Sequence, residues 1–235
     1  MMNRDPIFAD RRDAGRRLAE ALMRYVADDP VVLALPRGGV PVAFEVAEAL
    51  AAPLDLLFVR KIGAPHHPEL GLGALVDGAD PQVVLNESVM KMVSPPPGYV
   101  DEQVRRELKE IDRRRQAYLG EREPLPVRGR TVLLIDDGVA TGGTVRAALQ
   151  GLESAGVRRL VLAVPVGPAD VVASLKAEAD EVVCLATPEP FYAVGLWYRD
   201  FDQTSDEEVV ELLAAAAGQG PGGRSSGDDA PLNVP

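Results

Sequence analysis

One stretch constrains this chain more than any other: TVLLIDDGVATGGT, Thr131 to Thr144. Val132 to Ile135 is an unbroken aliphatic run of the kind that forms a strand buried on both faces. It leads straight into two adjacent carboxylates, Asp136 and Asp137, and then into a loop of Gly, Ala and Thr that contains no lysine. Charges are costly inside a sheet, so the acids belong at the strand's end. The small residues behind them leave backbone open to a ligand.

The rest of the chain supplies the sheet that such a strand needs. Residues 10 to 27 carry Ala14, Leu18, Ala21, Leu22 and Tyr25 on one stripe, which predicts an amphipathic helix. Val31 to Leu35 reads as a short buried strand, followed by the turn signal PRGG and then by helical spacing. A second strand is expected over Leu54 to Val59, with Arg60 and Lys61 at its carboxyl end. From Ile62 to Gly98 the periodicity fades into two β-like patches, at 72–76 and 82–85, and the breaker SPPPG. This segment reads as a long, partly mobile loop. Residues 99–119 predict a helix with Val104, Leu108, Ile111 and Tyr118 on its apolar face, and the basic run RRELKEIDRRR reads as the solvated side.

Three strand and helix alternations follow: TVLLID with GTVRAALQGLESAG, RLVLAVPV with ADVVASLKAEA, and EVVCLA. Strands alternating with helices predict an α/β fold, an open, mostly parallel twisted sheet with helices on both faces. A last helix is expected after a cap at Thr204 or Ser205. We read residues 1–217 as a single domain, with a small C-terminal hood near 186–204 that includes the N-terminal segment. Residues 218–235 are rich in Gly, Pro, Ser and Asp, a composition expected to be disordered.

The net charge of -11 argues against binding nucleic acid or an anionic membrane, because both need a basic surface. It allows a small phosphorylated ligand if the few cations are focused at one site. Cys184 is the single cysteine, so no intrachain disulfide can form. The amino terminus lacks the apolar core of a signal peptide and no run is apolar enough to span a bilayer, so the expected location is the cytoplasm.

In an open parallel sheet, ligands sit at the carboxyl ends of strands where the strand order reverses. LPRGG, VRKIG and IDDGVATGGT all deliver unusual residues to that edge. The ATGGT loop opens a helix at Gly143, so its amides and the helix dipole would face an anion, helped by the hydroxyls of Thr141 and Thr144. Neither the P-loop spacing nor a dinucleotide GxGxxG is present. A phosphate alone would be repelled by Asp136 and Asp137. Their natural partners are the adjacent hydroxyls of a ribose, met directly or through a hydrated Mg2+.

VLLIDDGVATGGT resembles the phosphoribosyl pyrophosphate (PRPP) binding motif of type I phosphoribosyltransferases, and the resemblance covers most of residues 30–200. It implies that Asp136 and Asp137 bind the ribose hydroxyls, with Mg2+ held indirectly through water and PRPP, and that Ala140, Thr141, Gly142, Gly143 and Thr144 bind the 5-phosphate. LPRGG resembles the family's pyrophosphate loop, with Arg37 and the amides of Gly38 and Gly39 on the leaving group. Arg60 and Lys61 resemble the basic pair before its mobile catalytic loop. Gly138 departs from the pattern, which has an aliphatic residue there, and is expected to loosen the backbone after the acids.

The activity implied is transfer of the 5-phosphoribosyl group from PRPP to a nitrogenous base, as in nucleotide salvage, by a homodimer. Ala140 stands where hypoxanthine and guanine enzymes have an aspartate that handles the base proton. His66, His67 and Glu69 are the substitute candidates, or else a plain exposed loop. Phe191, Tyr192, Trp197 and Tyr198 offer either an aromatic platform for the base, with Phe191, Trp197 and Tyr198 as the acceptor contacts, or simply core. Two other functions share the motif: a PRPP-responsive regulatory protein with little turnover, and a PRPP or nucleotide hydrolase.

Overall fold

A computed structural model describes residues 5–218. In chain order the elements are α1 (Arg11–Leu22), β1 (Val31–Ala34), α2 (Gly39–Leu50), β2 (Leu54–Leu56), β3 (Val59–Ala64), β4 (His67–Val76), β5 (Gln82–Leu85), α3 (Glu87–Val93), α4 (Tyr99–Leu119), β6 (Thr131–Ile135), α5 (Gly143–Ser154), β7 (Arg159–Val166), α6 (Ala169–Leu175), β8 (Glu181–Ala186) and α7 (Asp206–Gly218). The expected tail lies outside the described residues apart from Gly218, which closes α7.

Five strands form a wholly parallel sheet in the order β2-β1-β6-β7-β8. Side chains alternate across it with the period of two that a strand imposes. Val32, Ala34, Leu133, Ile135, Val161 and Ala163 face α1, α2 and α7, whereas Val31, Leu33, Val132, Leu134, Leu160 and Leu162 face α5 and α6. Helices therefore cover both faces, and every strand residue from Thr131 to Ile135 is buried. From β1 the chain moves outward to β2, and from β6 it moves the other way. The strand order reverses between β1 and β6, whose ends carry PRGG and the acid pair.

Capping fits the local chemistry. The Asp10 side chain accepts from the Asp13 amide at the start of α1, and Ser205, rather than the buried Thr204, accepts from the Glu208 amide of α7. Among the described residues no helix is long and apolar enough to cross a membrane.

The segment from 62 to 98 is not a loop. β3, β4 and β5 form a separate antiparallel three-stranded sheet, continued by α3, with Ile62, Leu72 and Leu75 fully buried in the core that also holds Ile111 of α4. The patches expected at 72–76 and 82–85 are the end of β4 and the whole of β5, and glycines hid the rest. A Cβ on Gly73 would meet the Val84 carbonyl oxygen at 2.2 Å, and one on Gly63 would meet that of Pro68 at 2.7 Å, so close backbone approach replaces the alternating side chains that reveal a strand. The expected strand 54–59 is likewise divided. β2 ends at Leu56, the chain turns through Leu57 and Phe58, and Arg60 and Lys61 belong to β3.

One arginine of α4 is not solvated. Arg115 donates to both carboxylate oxygens of Asp55 at 2.9 and 3.0 Å, to Asp77 at 2.8 Å and to the Leu56 carbonyl at 3.1 Å. Asp55 also accepts from the amides of Leu56 and Leu125, and Asp77 from that of Phe58. The cluster pins β2, the end of β4, α4 and the loop before β6 together, and its members are all buried. Burial pushes the Asp77 carboxyl up to about 6 against the pull of Arg115. Burial alone would lower the guanidinium's pKa, but Asp55 and Asp77 outweigh it and leave it raised.

Candidate functional site

The loop after β1 packs directly on the acids after β6. The Leu35 amide donates to the Ile135 carbonyl at 2.9 Å. A Cβ on Gly39 would fall 2.8 Å from that same oxygen, and one on Gly38 would fall 2.1 Å from Asp137 Oδ2. Both positions need glycine because the two strand ends touch. The Arg37 side chain points elsewhere: it donates to Asp206 at the start of α7 at 3.2 Å and lines a cavity of about 640 Å3 with Arg113, Arg114 and Tyr118.

Asp136 Oδ1 accepts from the Asp137 amide at 2.9 Å. Burial, and then the neighbouring Asp137, drive the Asp136 carboxyl well above the usual carboxylate range. Asp137 is also raised by burial, but Arg11 pulls against it. Arg11 was not singled out from the sequence. Its Nε donates to Asp137 Oδ2 at 2.8 Å, its NH1 group donates to the Asp202 carbonyl at 2.7 Å, and its guanidinium lies 3.8 Å from the centre of the Phe201 ring. The Tyr198 hydroxyl donates to the Asp137 carbonyl at 2.5 Å, and burial holds that phenol far above its ordinary pKa.

Gly138 does not loosen the backbone. A Cβ there would meet the Val194 side chain at 2.5 Å, so the glycine makes room for the hood to close on the end of β6. Gly138→Val is expected to cost about 1–3 kcal/mol through overpacking. Thermal denaturation would register it as a lowered Tm, and an unchanged Tm would mean that the hood yields freely.

Beyond the acids the Val139 amide bonds the Val166 carbonyl, Gly142 takes a left-handed φ of 78°, and α5 begins at Gly143. Ala140, Thr141, Gly143 and Thr144 are exposed. Thr141, Gly143 and Thr144 line a cleft of about 830 Å3 with Lys61, Gly71, Val84, Asn86 and Arg146. The fold thus brings Lys61 to the cradle, across the cleft on the antiparallel sheet. The Lys61 ammonium meets the Glu69 backbone and carboxylate. Arg60 does not follow it, because its Nε donates to the buried Glu107 of α4 at 2.9 Å.

The Glu69 side chain is fully exposed and meets Lys61, and His66 and His67 are exposed at the turn into β4, so these side chains stand in solvent and not against a reacting atom. Trp197 and Tyr198 are buried with Phe8 in a small core under the hood, and Phe191 packs against it. They hold the hood together instead of offering a platform. Backbone bonds from Ile7 and Phe8 to the Trp197 carbonyl, and from Arg199 to Phe8, tie the N-terminal segment into it. The exposed apolar side chains there are Tyr192 and Leu196.

The family model of the phosphoribosyl transferase domain matches residues 7–191. The chain belongs to this family. Two Mycobacterium tuberculosis proteins with provisional phosphoribosyl transferase names, Rv0571c of strain H37Rv and MT0597 of strain CDC 1551, are each 50% identical to it over 210 residues. The match takes in 89% of this chain and 47% of each relative, so the chain spans about half their length. The crystal structure of TT1426 from Thermus thermophilus superposes with a TM-score of 0.77 at 44% identity, over 88% of this chain and 98% of that one. Within this phosphoribosyl transferase domain, the matched span contains Arg11, PRGG, the acid pair and the cradle. It stops short of Val194, Trp197, Tyr198 and Phe201.

The donor set suits one kind of metal. Among the described residues no three His, Cys, Asp or Glu side chains gather into a cage. Two adjacent carboxylates beside an anion cradle fit a Mg2+ that keeps its waters and takes its other ligands from substrate phosphates. Asp136 and Asp137 are the residues of this phosphoribosyl transferase domain that would hold it.

Proposed function

We propose that this chain, as a single domain over residues 1–217, transfers the 5-phosphoribosyl group of PRPP to a nitrogenous base and releases pyrophosphate. The observation that carries the reading is the meeting of PRGG and the acid pair at the reversal of strand order, with the Thr and Gly cradle next along the chain. A ribose bearing a 5-phosphate needs those groups side by side.

Asp136 and Asp137 accept the ribose hydroxyls and fix the sugar. The amides of residues 140–144 and the hydroxyls of Thr141 and Thr144 hold the 5-phosphate at the start of α5. Arg37 on leaving Asp206, the amide of Gly38, and Lys61 receive the pyrophosphate, whereas the Gly39 amide already donates to the Leu35 carbonyl at 3.1 Å. The acceptor nitrogen bonds to the anomeric carbon while the carbon–oxygen bond to pyrophosphate breaks, and pyrophosphate leaves with the electron pair. Mg2+, when bound, supplies neutralisation of the phosphate charge. The chain's share is to position the reactants and to stabilise developing charge, the two largest sources of rate in such a displacement. Glu69 receives no proton-transfer role in this scheme, since it stands in solvent.

A second reading, a PRPP-responsive protein with little turnover, is favoured by the ties on the pyrophosphate residues: Arg37 to Asp206, Arg60 to Glu107 and Lys61 to Glu69. Pyrophosphate release from PRPP, with Mg2+ and a panel of purine, pyrimidine and nicotinate-like bases, separates the two. Release stimulated by one base is the result expected. Release without a base would indicate a hydrolase, and binding without release the responsive protein. Arg37→Ala should weaken PRPP about tenfold, the value of a charged hydrogen bond, and spare ribose 5-phosphate. Equal losses for both ligands would remove Arg37 from the pyrophosphate site.

A further inference from the structure

We infer that Arg11 is a positioning residue of the ribose subsite, through which the N-terminal helix and the hood hold the Asp137 carboxylate in register for the sugar diol. The inference rests on the reading of Asp136 and Asp137 as acceptors of that diol.

Arg11 makes three contacts that together leave its guanidinium little freedom. Nε meets Asp137 Oδ2 at 2.8 Å, the NH1 group meets the Asp202 carbonyl at 2.7 Å, and the plane lies over Phe201 at 3.8 Å. Its side chain is 12% exposed and that of Asp137 is 15% exposed, so the pair is largely withdrawn from water, where an ion pair is well ordered. On the other flank the same Oδ2 lies against Gly38, where a Cβ would come within 2.1 Å. Asp137 is therefore gripped on both sides, by the N-terminal helix and by the loop after β1, and its backbone carbonyl is held by Tyr198 of the hood. Two adjacent carboxylates repel each other and would turn apart, and among the described residues Arg11 is the cation that hydrogen-bonds the pair.

A planar fork is needed for this. Nε reaches the acid while the terminal nitrogen reaches a carbonyl in the hood, and the flat face stacks on an aromatic ring. A lysine could keep the charge but not all three contacts.

The test compares ribose 5-phosphate with 2-deoxyribose 5-phosphate by calorimetry, because the two have the same charge and differ by one hydroxyl of the diol. Wild-type chain should prefer ribose 5-phosphate about tenfold or more, the value of one hydroxyl on a carboxylate. In Arg11→Met the preference should collapse toward unity, and Arg11→Lys should restore part of it. In an Asp137→Asn background Arg11→Met should cause no further loss, since it acts through that carboxylate. A folded Arg11→Met with undiminished preference would overturn the inference. Should that variant not fold, Phe201→Leu carries the test: it frees the guanidinium without deleting it and should lower the preference several-fold, and an unchanged preference would equally overturn it. If the wild-type chain binds both sugars alike, or neither, the diol reading itself fails, and the role of Arg11 falls with it.

Discussion

Replacing Asp136 and Asp137 together by asparagine is expected to abolish measurable binding of ribose 5-phosphate and PRPP. Each carboxylate that accepts a sugar hydroxyl contributes a charge-assisted hydrogen bond of about 1.5–3 kcal/mol, so losing both costs roughly a hundredfold to ten-thousandfold in affinity. The fold should survive the first change with little loss. The amide oxygen of an asparagine at 136 can still accept from the Asp137 amide, and no cation is left unpaired by the change. The second change should cost more stability, because it leaves the Arg11 guanidinium half-paired in a nearly dry site. Calorimetry on the two single variants and the double variant, beside their thermal denaturation, separates binding from folding. Intact affinity in a folded double variant would sink the assignment of the acids to the ribose.

Arg115→Met should be the most damaging substitution away from the site, lowering stability by about 3–5 kcal/mol in urea denaturation. It removes the one cation from between Asp55 and Asp77, which are 2% and 6% exposed, and leaves two buried carboxylates facing each other. Its pH dependence gives a second readout. Asp77 titrates at about 6 in the folded chain against an ordinary 3.8, so between those values the unfolded chain binds fewer protons than the folded one. Stability from this group is then highest at acid pH and falls as pH rises through about 6. Without Arg115 the carboxyl moves higher still, so the variant should regain part of its stability on acidification. A loss independent of pH would mean that the packing of the arginine stem, not its charge, is what matters.

Much of the sheet was legible because its signals are local. Val31 to Leu35, Thr131 to Ile135, Arg159 to Val166 and Glu181 to Ala186 are dense, short and bounded by turns, and they fold where their spacing predicts. Helix 99–119 matches its predicted limits. Of the antiparallel sheet over 59–85, only the patches at 72–76 and 82–85 were legible, and they fold as the end of β4 and as β5; glycines at 63, 71 and 73 replace the side chains that would mark the rest. The burial of Arg115 has a local trace in the sequence. The arginine stands four residues after Ile111 and three before Tyr118, on the apolar stripe of α4, where a charge signals a buried partner. Trp197 and Tyr198 carry no sign of whether they line a pocket or a core, because both uses need the same aromatic surface.

By itself the sequence determined the order of strand, acids and small-residue loop, and hence the sheet and the edge at which a ligand would sit. Hydrophobic periodicity and glycine placement act over a few residues and need no distant partner. The tertiary structure alone decided where the charges go: Arg11 to Asp137, Arg37 to Asp206, Arg60 to Glu107 and Arg115 to Asp55 and Asp77. These partners lie 38 to 169 residues apart. A charge read in sequence belongs in solvent, since burial without a counter-charge is prohibitive. Only folding, by bringing an opposite charge from far along the chain, makes another position stable.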